Sequence, residues 1–86
     1  MSNALHITIT YYQFIKENPD FTGCVIDKYG DKFWYLNGKY HRTDGPAVEF
    51  ADGSKAWLLN GERLTEEKWT YTVRLNKLGE FLNGNT

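Results

Sequence analysis

The sequence predicts an α+β, mainly β fold: an antiparallel meander of tandem β-hairpin repeats with a period of 23 residues, capped by an N-terminal and a C-terminal helix. Three observations lead there. Sliding the chain along itself by 23 positions places Trp34 on Trp57, Leu36 on Leu59, Asn37 on Asn60 and Gly38 on Gly61. The same shift places Lys32 on Lys55, Gly30 on Gly53 and Val25 on Val48, as expected when one small unit is copied. The matched glycines punctuate short runs of strand formers, as hairpin turns do. Helix-start signals stand on both sides of the repeated stretch. The 86 residues make one domain, with 1–20 as an N-terminal cap containing a short helix, 21–64 as two hairpin repeats and 65–86 as a C-terminal helix and tail.

At the amino end, His6-Ile7-Thr8-Ile9-Thr10 alternates like a strand that either pairs with a sheet edge or extends the cap. Thr10-Tyr11-Tyr12-Gln13 fits a capping box, Phe14-Ile15 supply an apolar stripe, and Asn18-Pro19-Asp20 closes the helix.

The hairpins follow from Tyr29-Gly30, Asn37-Gly38, Asp52-Gly53 and Asn60-Gly61. Asn-Gly and Asp-Gly favour two-residue turns because both central residues take positive φ; Tyr-Gly fits this less well. Two-residue loops set Val48 opposite Trp57, Glu49 opposite Ala56, Val25 opposite Trp34 and Ile26 opposite Phe33. They also set Tyr35 opposite Tyr40 and Trp34 opposite His41. One face then carries Val25, Trp34 and His41 in the first unit, and Val48, Trp57 and Leu64 in the second. The other face carries Cys24, Ile26, Phe33, Tyr35 and Tyr40, followed by Ala47, Glu49, Ala56, Leu58 and Arg63. Asp27 opposes Lys32, and Lys28 opposes Asp31. A first unit apolar on both faces needs cover from a helix or a partner.

A third unit does not begin, because His41 maps onto Leu64 and Arg42 onto Thr65. Thr65-Glu66-Glu67-Lys68-Trp69 reads instead as a helix start, with Thr65 as the N-cap, two acids at the positive end of the dipole, and Leu64 and Trp69 as a hydrophobic staple. Trp69 and Val73, with Thr72 and Asn76, follow at helical spacing, and Gly79 marks the stop. Phe81-Leu82-Asn83-Gly84 echoes residues 58–61 and is either a third turn or a chance match.

Three Trp, six Tyr and five Phe let a small structure bury area with few residues. A net charge of −1 supplies no general pull toward nucleic acid or anionic lipid. Cys24 is the single cysteine, which points to a reducing, cytoplasmic setting, the host cytoplasm if the protein is viral. No apolar run reaches the roughly 18 residues of a membrane span, and the first residues lack the pattern of a secretory signal.

Residues 34–47, Trp-Tyr-Leu-Asn-Gly-Lys-Tyr-His-Arg-Thr-Asp-Gly-Pro-Ala, closely resemble the W-Y-x-N-G-K-x-H-R-x-D-G-P-A tandem repeats of uncharacterised bacterial and phage proteins, which look like relatives of MORN repeats. The resemblance covers residues 21–64, about half the chain. It implies an elongated, twisted sheet of short hairpins that serves as a scaffold or recognises partners. Among MORN proteins those partners include membranes and further copies of the chain. The resemblance brings no common catalytic residue, and the second unit lacks His-Arg-x-Asp-Gly-Pro. It also implies a small phage or bacterial accessory protein that binds and modulates or inhibits a host protein.

His41 and Asp44 are the residues for a small hydrolase, but no serine or cysteine is placed beside them by the repeat, so no enzyme is expected. His6, His41 and Cys24 show no metal-ligand spacing, and no cofactor motif is present. Phe33, Tyr35 and Tyr40 form an aromatic face that a terminal helix covers or a partner uses. With His41, Arg42 and Arg63 they make the candidate partner surface. The expected partner is another protein, and open strand edges also allow a homo-oligomer. Nucleic acid is the alternative, and the acids interspersed with Lys39, Arg42, Lys55 and Arg63 argue against it. No membrane partner is expected.

Overall fold

A computed structural model describes the backbone of residues 11–84 and side chains through residue 80. Elements follow in the order α1 (Tyr11–Glu17), β1 (Gly23–Ile26), β2 (Lys32–Leu36), β3 (Lys39–Tyr40), β4 (Val48–Glu49), β5 (Lys55–Leu59), β6 (Glu62–Leu64) and α2 (Glu66–Gly84). The six strands form one antiparallel sheet in the order β1-β2-β4-β5-β6, with the two-residue β3 paired to β2 alone. The strand proposed for residues 6–10 and the Thr10 N-cap lie outside the described residues. At its other end α1 stops as expected: Asn18 donates from its side chain to the Phe14 carbonyl (2.8 Å) and from its backbone to that of Ile15 (3.2 Å).

The two Asn-Gly turns have the geometry their sequence demands. Asn37 and Gly38 take φ of 51° and 84°, and Asn60 and Gly61 take 49° and 85°. Tyr35 therefore faces Tyr40, and Trp57 faces Leu64. Both turns are tied down alike. Gly38 donates to the Phe21 carbonyl (2.9 Å) and Gly61 to that of Tyr40 (2.8 Å). Asn37 N–H donates to Thr22 Oγ1 (2.8 Å), and Asn60 N–H to His41 Nδ1 (2.9 Å).

The other two loops differ from expectation by one residue. Gly30 donates back to the Asp27 carbonyl and Gly53 to that of Phe50, while Asp27 and Phe50 donate across the loop mouths to Asp31 and Ser54. Each loop thus holds three residues: a type I turn, then a glycine at positive φ (89° and 94°) forming a bulge. Tyr29 and Asp52 keep negative φ, so neither makes the mirror-image turn. Carboxylates favour this form. Asp27 Oδ1 accepts from Tyr29 N (2.9 Å) and Asp31 N (3.0 Å), and Asp52 Oδ1 accepts from Ser54 N (2.9 Å).

One residue of register moves side chains to the opposite face. Val25 pairs with Phe33, not Trp34, and Val48 pairs with Ala56, not Trp57. Cys24 pairs with Trp34 and Ile26 with Lys32, so both leave the aromatic face. Glu49 leaves it as well, set between Lys32 and Lys55. The expected opposition of Asp27 to Lys32 is lost, and Lys28 lies in the loop. Val48, Ala56 and Leu58 are buried, with Ala47 beside them and Phe33 and Tyr40 packed against the cluster. Full burial of a Val or Leu stabilises by about 1.5–3 kcal/mol, so this row is the core.

Thr65 caps α2 as expected: its Oγ1 accepts from Lys68 N (3.1 Å), and its carbonyl accepts from Trp69 N (2.9 Å). Among the described residues Trp69 and Val73 are the buried ones of α2, with the Trp69 ring 4.7 Å from that of Trp57. Gly79 does not end the helix, which runs on to Gly84 through the echoed residues 81–84. Neither Gly79 nor Asn83 takes positive φ, so that echo is helix, not a third turn. Trp57 lies on the face opposite Phe33 and Ala56, and α1 and α2 accordingly contact opposite faces of the sheet.

Candidate binding surfaces

Phe33, Tyr35 and Tyr40 do lie together, on β2 and β3. Tyr35 and Tyr40 rings are 4.9 Å apart and those of Phe33 and Tyr40 6.0 Å. Tyr11 of α1 closes over them. Its ring stacks on Phe33 at 4.5 Å, and its hydroxyl hydrogen-bonds those of Tyr35 and Tyr40. Phe21 adds an edge contact to Tyr35 at 5.9 Å. Tyr35 keeps 6% of its surface, and Phe33 and Tyr40 are half-buried. Burial, first of all, raises the Tyr11 and Tyr35 hydroxyls above the ordinary tyrosine range; the shared hydrogen bonds raise Tyr11 further. This is a satisfied aromatic cluster under a short helix.

Of the remaining three candidates, His41 and Arg42 leave the aromatic face, whereas Arg63 stays on its side of the sheet. Arg42 lies on the other face, its guanidinium 3.8 Å from the Trp34 ring centroid. It donates from Nε to Asp44 Oδ1 (2.8 Å), and from Nη1 to Glu49 Oε2 (3.1 Å) and the Pro46 carbonyl (3.2 Å). Its own carbonyl accepts from Trp69 Nε1 (3.0 Å). The arginine thus joins β2, the 43–47 crossover, β4 and α2. His41 donates its backbone N–H to the Trp34 carbonyl (2.9 Å) and commits Nδ1 to the Asn60 turn. Arg63 is exposed on edge strand β6, opposite Leu58.

His41 and Asp44 share no hydrogen bond, since Asp44 is taken by Arg42, which holds its carboxyl below the usual carboxylate range. Among the described residues no three His, Cys, Asp or Glu side chains gather as a metal site. No described helix is long and apolar enough to cross a membrane.

Two apolar surfaces were not singled out from the sequence. Tyr71, Leu75 and Leu78 of α2 are 65%, 49% and 54% exposed. Their i, i+4, i+7 spacing is visible in the sequence, but Trp69 and Val73 define a competing stripe on the same helix. The second is a groove of about 750 Å³ between α1 and edge strand β1, lined by Tyr11, Phe14, Phe21, Val25, Ile26 and Lys28 among others. It needs the tertiary placement of α1 and has no sequence signal of its own. No family model, curated protein or solved structure matches the chain.

Proposed function

We propose that this protein is a non-enzymatic protein–protein interaction module, an accessory protein of phage or bacterial type that binds another protein and modulates or inhibits it. The outward side of α2 carries this reading. At 100° per residue, Tyr71, Leu75 and Leu78 lie on the side away from Trp69 and Val73. A helix anchored through one side and apolar on the other has the form used in helix-in-groove recognition. The tandem reading of the sheet belongs with it. The two Asn-Gly turns, 23 residues apart, share the same positive-φ geometry, and MORN-like hairpin arrays serve as rigid platforms.

Photo-cross-linking tests the reading. A benzophenone side chain at position 75 or 78 is expected to capture a defined protein from lysate of the cells in which the chain acts, and the same group at Tyr35 none. Capture through Tyr35 or Tyr40 with none from α2 would overturn the assignment of the surface.

A further inference from the structure

Among the described residues strand β1 ends the sheet, and its outer edge opens into the groove beneath α1. Which backbone groups face outward follows from the loop. Asp27 N–H donates to the Asp31 carbonyl (3.0 Å), and bonding alternates back from that pair. Val25 with Phe33 and Gly23 with Tyr35 are therefore bonded pairs. Cys24 and Ile26 turn their N–H and C=O groups away from β2, toward the open edge. Side chains continue the pattern: Val25 faces the α1 side with Phe33, while Ile26, 61% exposed, lies on the other side. The groove wall is aromatic, with the Phe14 and Phe21 rings 5.1 Å apart.

Charge marks one end of the groove. The Asp27 carboxylate is occupied by the amides of Tyr29 and Asp31, whereas Lys28 has no ion pair among the described residues, its Nζ lying 5.3 Å from the Tyr29 ring centroid. The loop end of the groove thus offers a cation whose neighbouring anion is already engaged.

We propose that this edge takes an extended peptide segment of a partner protein, added antiparallel to β1. The segment presents apolar residues at alternate positions to the groove and an acidic residue to Lys28. Backbone bonds to Cys24 and Ile26 supply the pairing, the Val25 side selects the apolar positions, and Lys28 fixes polarity and register. The residue opposite Val25 is apolar, as is the second residue beyond it, and the acid stands three positions before the first of these. This rests on the protein-binding reading but uses a surface separate from α2, so failure here leaves the α2 cross-linking result independent.

The test is a titration of the isotopically labelled full chain with acetyl-Glu-Thr-Thr-Ile-Thr-Ile-amide, followed by amide chemical shifts. Expected are shifts confined to residues 23–29 and α1, loss of those shifts when the central Thr-Ile is replaced by Pro-Ile, and binding weakened about threefold when the Glu is replaced by Lys. The variant Lys28→Glu is expected to reverse that last preference. Absent shifts at Cys24 and Ile26, or shifts indifferent to proline, would overturn the proposal. Slow exchange of these two amides in the dilute free chain would overturn it too, since residues 1–10 would already fill the edge. Slow exchange that appears only on concentrating the chain would give the edge to a second copy and count equally against it.

Discussion

Gly38→Ala is expected to destabilise the protein by about 3 kcal/mol, and Gly61→Ala by only about 1 kcal/mol, although both end an identical Leu-Asn-Gly. Both glycines sit at positive φ, so an L side chain meets a similar backbone penalty at each. Their surroundings differ. A Cβ at Gly38 would lie 1.9 Å from the Pro19 carbonyl oxygen and 3.1 Å from its carbon, so the segment joining α1 to β1 would have to move. A Cβ at Gly61 meets only methylenes of Lys39 at 3.8 Å or more. For a chain this short, 1 kcal/mol corresponds to roughly 4–8 °C in Tm, so thermal unfolding separates the two variants clearly. Equal losses would show that the first turn does not rest on residues 19–21.

Arg42 should be the most costly charged residue to remove. Arg42→Ala is expected to cost about 2–4 kcal/mol, through lost stacking on Trp34 and through leaving Glu49 and the Pro46 carbonyl without their donor. Arg42→Lys should recover less than half of that, because an ammonium cannot make the planar stack and the forked bonds together. Asp44→Ala should cost well under 1 kcal/mol, since that side chain is 80% exposed and its ion pair is screened. The same pair sets a weak acid dependence. With the Asp44 carboxyl held below its ordinary value by Arg42, its contribution is present above the carboxylate range and is lost as pH falls through it. Urea denaturation gives all three values. Asp44→Ala matching Arg42→Ala would locate the stabilisation in the ion pair and not in the stack.

How much of this was legible depends on which turns state their own geometry. Asn-Gly does: two consecutive residues that tolerate positive φ leave one common hairpin, and the pairing of Tyr35 with Tyr40 followed from it. A single glycine does not. Gly30 and Gly53 fit the second position of a two-residue turn and the bulge of a three-residue loop equally well, and the choice falls to local carboxylate bonds. That one residue decided the faces of Val25, Val48, Cys24 and Glu49. Phe33, Tyr35 and Tyr40 survived the slip as a set because β2 alternation and the Asn-Gly turn hold them together.

Other features lay beyond local pattern. The cover over the aromatic rings comes from Tyr11, 24 residues before Tyr35, which only tertiary packing brings into place. The helix α2 runs past the stop that Gly79, a C-cap type, marks in the sequence. In the helix it keeps ordinary φ, at a cost of about 1 kcal/mol relative to alanine that the longer helix tolerates. The close packing of the crossover after β3 is tertiary too, with Arg42 bonded to Asp44 and the Pro46 carbonyl. Gly45 lacks a side chain where a Cβ would come within 2.8 Å of Arg42 Cζ.

The aromatic face is closed by α1, and the outward side of α2 leaves an apolar surface open among the described residues. The most direct measurement is the relaxation of side-chain protons by a soluble paramagnetic agent, read by NMR on the free chain. The Leu75 and Leu78 methyls and the Tyr71 ring are expected to relax strongly, and the ring protons of Tyr35 to be protected, with Phe33 and Tyr40 intermediate. Strong relaxation of Tyr35 together with protected Leu75 and Leu78 would contradict it, returning the binding surface to the sheet and placing the cover on α2.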